Sequence, residues 1–82
     1  AQQTLKKIAI DKVGDNPLVL DTIGVSYSQI GLHQEAINFY QKAVELSSDN
    51  AYFYFNYGAS LKFVGEFAKA KQAYQRAIEC IF

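Results

Sequence analysis

The sequence predicts an all-α fold in which antiparallel helix-turn-helix repeats, about five helices in all, stack as a solenoid. Three observations predict it. First, residues 17–48 map onto residues 51–82 at an offset of 34, and eight of the 32 pairs are identical. Chance would give about two. The identities are Gly24/Gly58, Ser26/Ser60, Gly31/Gly65, Ala36/Ala70, Tyr40/Tyr74, Gln41/Gln75, Ala43/Ala77 and Glu45/Glu79. Second, apolar and small residues in both copies recur at i, i+3, i+4 and i+7, the spacing of one helix face. Third, both copies carry a glycine, Gly31 and Gly65, where the first helix of each copy should end.

Taken in order, residues 4–13 place Leu5, Ile8, Ala9 and Val13 at helical spacing, and Gly14-Asp15-Asn16 ends that run. At the 34-residue offset, Ala9 falls on Ala43 and Asp15-Asn16 on Asp49-Asn50, so this opening helix reads as the tail of a preceding repeat. It departs at Lys6, where the full copies have Tyr40 and Tyr74. Asp15 or Asn16 then caps a helix with Pro17 in its first turn, where a missing N–H costs nothing. Leu20, Ile23, Gly24 and Tyr27 form its inner face, and Gly31 stops it. A helix over about 33–46 turns Ala36, Ile37, Tyr40, Ala43 and Val44 inward. Ser47-Ser48-Asp49-Asn50 is a turn rich in capping residues. A third helix, about 51–64, presents Tyr54, Tyr57, Gly58 and Leu61, and a fourth, about 67–81, presents Ala70, Tyr74, Ala77 and Ile78. One local signal disagrees: residues 51–57 (AYFYFNY) have the composition of a strand. The repeat overrides it, because its register places Tyr54, Tyr57, Gly58 and Leu61 on a clear helical pattern. The chain is therefore expected to be one small domain: a half-repeat over 1–16, a repeat over 17–50 and a repeat over 51–82.

The pattern Leu20-x2-Ile23-Gly24-x2-Tyr27, then Ala36-x3-Tyr40-x2-Ala43, resembles the 34-residue tetratricopeptide repeat. Tyr54-x2-Tyr57-Gly58-x2-Leu61, then Ala70-x3-Tyr74-x2-Ala77, resembles it again. Leu20 and Tyr54 take the place where the family usually has Trp, and Ser48 and Phe82 the place where it often has Pro. The resemblance implies a right-handed α-solenoid. The small residues also have a physical reason: Gly24 with Ala36, and Gly58 with Ala70, are expected where the helices of a pair approach closest, within the usual 8–10 Å or so. Ala70→Leu should then cost more than about 1 kcal/mol through overpacking.

Composition narrows the function. Half of the 82 residues are apolar, and eight basic residues balance eight acidic ones. That removes the electrostatic case for nucleic acid or an anionic membrane. No apolar run reaches the ~20 residues a transmembrane helix needs. A single cysteine, Cys80, allows neither an intrachain disulfide nor a multi-cysteine zinc site. It fits a reducing compartment, and a cytoplasmic location is expected. The chain contains no Met, and it reads as a piece of a longer protein. His33 is alone, with no Cys, Asp or Glu at ligand spacing, and is expected to be a surface polar residue. Cys80 aligns with Leu46 and reads as a small core hydrophobe. No phosphate-binding glycine cluster and no paired carboxylates are present. Lys42/Glu45 and Arg76/Glu79 read as solvated pairs one turn apart. Neither enzyme activity, nor a metal, nor a cofactor is expected.

The resemblance also implies where binding would occur. In this family the first helix of each pair lines the concave face. That lining would comprise Leu18, Asp21, Thr22, Val25, Ser28 and Gln29 from the first repeat, and Tyr52, Phe55, Asn56, Ala59, Lys62 and Phe63 from the second. Asp21, Val25, Gln29, Tyr52, Phe55, Asn56, Ala59, Lys62 and Phe63 are the candidate peptide contacts. The packing positions are Gly24, Tyr27, Ala36, Tyr40, Ala43, Gly58, Leu61, Ala70, Tyr74 and Ala77. The second set carries three aromatics, which supply rigid contact area. Asn56, Lys62 and Asp21 are expected to orient the bound segment. Some family members clamp a C-terminal carboxylate with basic and Asn residues; here Asp21 and Val25 stand in those places, and only Asn56 fits. The expected function is thus a scaffold that binds a peptide or helix of a partner protein. The alternatives are a non-catalytic segment of a larger bacterial transferase-type enzyme, or an assembly module. Phe67, Ile78, Ile81 and Phe82 would face a further repeat, and the exposed repeat ends are expected to self-associate.

Overall fold

The structure, a computed structural model, describes residues 16–81. These residues form four helices, α1 (Pro17–Gln29), α2 (His33–Leu46), α3 (Ala51–Phe63) and α4 (Phe67–Ile81), and among them there is no strand. The helix expected over 4–13, the half-repeat it belongs to, and Phe82 lie outside the described residues.

Local chemistry explains the boundaries. The Asn16 side chain accepts from the backbone N–H of Leu18 at 3.1 Å and of Val19 at 3.3 Å, with Pro17 as the first helical residue. Asn50 caps α3 in the same way, accepting from the Phe53 N–H at 3.2 Å. The α1–α2 and α3–α4 turns are the same motif twice. Gly31 and Gly65 both sit at φ +87°, in the left-handed region. Leu32 N–H donates to the Tyr27 carbonyl and Gly31 N–H to Ser28; Glu66 N–H donates to Leu61 and Gly65 N–H to Lys62. That is the paired 6→1 and 5→2 closure that satisfies the last carbonyls of a helix. Nothing lies within 4 Å of where a Cβ would stand at either glycine, so conformation, not space, requires them. The strand-like stretch at 51–57 is helical throughout. Its aromatic residues are buried by helix packing rather than by a sheet.

Each helix packs on the next, and α1 also reaches α3. One core cluster draws on all four helices: Leu20, Phe39, Ala43, Val44, Phe53, Tyr54 and Ala77, flanked by Ile23, Tyr27, Tyr57 and Cys80. A second comprises Ile37, Leu61, Ala70 and Ala73, flanked by Tyr57, Val64 and Tyr74. Tyr57 borders both and joins the two. Phe39 and Phe53 fall outside the repeat motif yet are core residues, because they fill the junction between the two helix pairs. Tyr27 stacks on Phe39 with ring centroids 5.4 Å apart.

Three expectations change. Gly24 is small because of Tyr40 rather than Ala36: a Cβ there would stand 2.6 Å from Cε1 and 2.8 Å from Cδ1 of that buried ring. Gly58 meets the Tyr74 ring at 3.0 Å and the Ala70 carbonyl at 3.3 Å. Ile78, expected inward, is 54% exposed, whereas Val44, its counterpart, is 7% exposed. The reason is that α3 covers α2, and among the described residues no helix lies beyond α4. His33 is half-buried rather than a free surface residue: its ring stacks on Phe63 at 4.2 Å, and its Nδ1 lies 3.3 Å from the Ser28 hydroxyl.

Candidate functional site

Helix α3 is apolar on two sides, and that sets up the site. Phe53, Tyr54 and Leu61 are buried against the first repeat. The other side leaves Tyr52 79% exposed, Phe55 56% exposed and Phe63 74% exposed. A helix apolar all round is normally enclosed, so an apolar face left open marks an interaction surface. Helix α4 continues the surface with Phe67, Ile78 and Ile81, all exposed.

These side chains frame two grooves. One, of about 460 Å³, is lined by Ala51, Tyr52, Phe55, Asn56 and Ile81. The other, of about 470 Å³, is lined by Ala59, Lys62, Phe63, Phe67 and Tyr74. The Phe55 ring meets the Tyr74 ring edge-on at 5.3 Å and 66°, so the grooves are two ends of one trough along α3 and α4. Lys62 is the single charged side chain lining either end. The trough is therefore a long apolar surface with one ammonium group at one end.

The structure brings together six of the nine candidate contacts: Tyr52, Phe55 and Asn56 at one end, Ala59, Lys62 and Phe63 at the other. It separates Asp21, Val25 and Gln29, which are on α1 and line neither groove. Asp21 is only 8% exposed, covered by α3. The Asn56 amide donates to its Oδ1 at 3.1 Å and its Oδ2 at 3.3 Å. Asp21 and Asn56, each expected to hold a ligand, instead hold each other, and only Asn56 also borders the trough. Burial raises the Asp21 pKa above its ordinary 3.8, while the hydrogen bond from Asn56 opposes the rise. Desolvation, with the Asp21 charge adding to it and a Ser28 hydrogen bond opposing it, pushes the Tyr40 hydroxyl up to about 12.

Phe67, Tyr74 and Ile81 also line the trough, although the candidate contacts came from first helices alone. The signal for Phe67 was in the repeat: it aligns with His33, so the copies differ there by an aromatic ring for an imidazole. On the outer face, Arg76 pairs with Glu79 at 3.4 Å and lies 5.6 Å from the centre of the Tyr54 ring. The Cys80 thiol packs beside the core and lies 3.7 Å from the Ser48 carbonyl. Among the described residues, no group of three or more His, Cys, Asp or Glu is placed to hold a metal ion, and no helix is long and apolar enough to cross a membrane.

Comparison with known families agrees with this geometry. A family model described as TPR repeat matches residues 24–62, and one described as tetratricopeptide repeat matches residues 51–79. A comparison with curated proteins finds no match. Repeats of this kind generally mediate protein–protein interaction and are typically non-catalytic. With paired helices closed by the same glycine turn, tyrosines over small residues in both pairs and matches that together run over 24–79, the chain belongs to the tetratricopeptide repeat family.

Proposed function

We propose that the chain is a protein-interaction scaffold that binds a segment of a partner protein in the trough between α3 and α4. The observation that supports it is the run of exposed apolar side chains from Tyr52 to Phe63 on α3, continued by Phe67 and Ile81 on α4. Their burial on binding supplies the affinity, at roughly 25 cal/mol per Å² of apolar area before the costs of association. Lys62 favours a carboxylate near that end of the segment and so sets its direction.

The test is selection of displayed peptides on the whole chain, followed by titration of the selected peptides against the wild type, Phe55→Ala and Lys62→Ala. Phe55→Ala should weaken binding by at least about tenfold with an unchanged melting temperature, since the ring is half exposed. Lys62→Ala should weaken it less and mainly for peptides with an acidic residue. Failure to enrich any peptide, or binding indifferent to both changes, would count against the reading.

A further inference from the structure

The two repeats offer the same face twice, once occupied and once open. On the face of α1 and α2, helix α3 is seated by Asn56 on Asp21 and by Phe63 on His33. Asn56 and Phe63 are seven residues apart, two turns of helix, or about 10 Å. The 34-residue offset carries Asp21 to Phe55 and His33 to Phe67. Both phenylalanines are exposed, and each lines one end of the trough. The open seat therefore keeps the layout of the occupied one and changes its chemistry: a carboxylate and an imidazole become two phenyl rings.

We propose that this open seat takes a helix of a partner protein that presents apolar side chains seven residues apart to Phe55 and Phe67, in the place α3 takes on the first repeat. The proposal rests on the trough being the binding surface and adds the form and chemistry of what binds. The same contacts discriminate against a second copy of this chain. To reproduce the seat, a second copy would enter with α1 or α3, the first helix of a pair. Helix α3 would lay the Asn56 amide on the Phe55 ring, removing it from water with no acceptor in return. Helix α1 would lay Thr22 and Gln29 on the two rings, since these align with Asn56 and Phe63. Neither matches, whereas a helix with Leu, Ile or Phe at both positions does.

Two synthetic amphipathic helices of about 18 residues, long enough to hold helical structure once docked, test this on the whole chain. One carries Leu at both positions; the other carries Asn and Phe, copying α3. The wild type should bind the Leu/Leu helix at least about tenfold tighter. Phe55→Asp, which restores the charge of the first seat, should reverse that order. Phe67→His, which restores its other half, should weaken the Leu/Leu helix and provides a second variant should Phe55→Asp fail to fold by circular dichroism. Equal affinities in the wild type, or an order unchanged in both variants, would overturn the proposal. So would a dimer in light scattering that Phe55→Asp dissolves, which would assign the face to a second copy. Selected peptides that bind in the trough as extended chains, or without the seven-residue spacing, would overturn this proposal and leave the scaffold reading standing.

Discussion

The Asn56 amide nitrogen lies within hydrogen-bond distance of both carboxylate oxygens of Asp21, at 3.1 and 3.3 Å, and so ties α3 directly to α1 across the first helix pair. Asp21 is buried, so the bond is made where a lost partner is costly. Asn56→Ala alone should destabilise the fold by about 1–3 kcal/mol, because it leaves a buried carboxylate without a donor. The double variant Asp21→Ala/Asn56→Ala should lose less than Asn56→Ala. Urea unfolding of the four-member cycle measures the coupling, and additive losses would show that the pair is not a unit.

Asp21 also predicts a pH dependence with a definite sign. Its pKa is raised in the fold, chiefly by burial, so the native state holds this proton more tightly than the unfolded chain does. The charged form therefore costs stability at neutral pH, and the cost is relieved as pH falls through the raised pKa toward the ordinary 3.8. Asp21→Asn should be more stable relative to the wild type at neutral pH than near pH 3.8, with the difference closing as pH falls. Melting temperatures of both proteins across that range measure it.

Tyr40 acts at the alkaline end. Its hydroxyl titrates at about 12 in the fold against an ordinary value of 10. Between those values the unfolded chain loses the proton first, so stability falls as pH rises through the window. Tyr40→Phe should flatten the decline in stability between about pH 9 and about pH 11. Absorbance titration of the tyrosinates should show a late-titrating phenol that the same change removes.

The two glycines that face tyrosine rings should not respond alike. Gly24→Ala forces a methyl to within 2.6 Å of the buried Tyr40 ring and should cost about 1–3 kcal/mol. Gly58→Ala brings a methyl to 3.0 Å from the Tyr74 ring, which is only half-buried and can shift. The gain in helix propensity, up to about 1 kcal/mol, offsets much of that strain. Thermal melts of the two variants should place Gly24→Ala well below Gly58→Ala.

Ala70→Leu should also destabilise by more than about 1 kcal/mol. Ala70 is buried in the smaller core cluster, and its carbonyl is among the nearest neighbours of Gly58. An unchanged urea midpoint would mean that this junction has room for three more carbons.

The sequence by itself determined the helices, their turns and the contacts within each pair. Those depend on short-range chemistry: Asn16 and Asn50 as caps, Gly31 and Gly65 in a conformation other residues resist, and a 3.6-residue periodicity that the second copy repeats. It was enough to overrule the strand propensity of residues 51–57. The tertiary structure decided what happens between pairs. No periodicity in one helix tells which residue of the next pair will lie opposite, so Phe39 and Phe53 were not recognisable as core. Nor could it tell that His33 would stack on Phe63, or that Asp21 and Asn56 would satisfy each other, 35 residues apart. The candidate surface divided for the same reason. Helix α3 lies over Asp21 and buries it, while the corresponding Phe55 stays open, because a repeat fixes equivalent positions but only stacking decides which of them are covered.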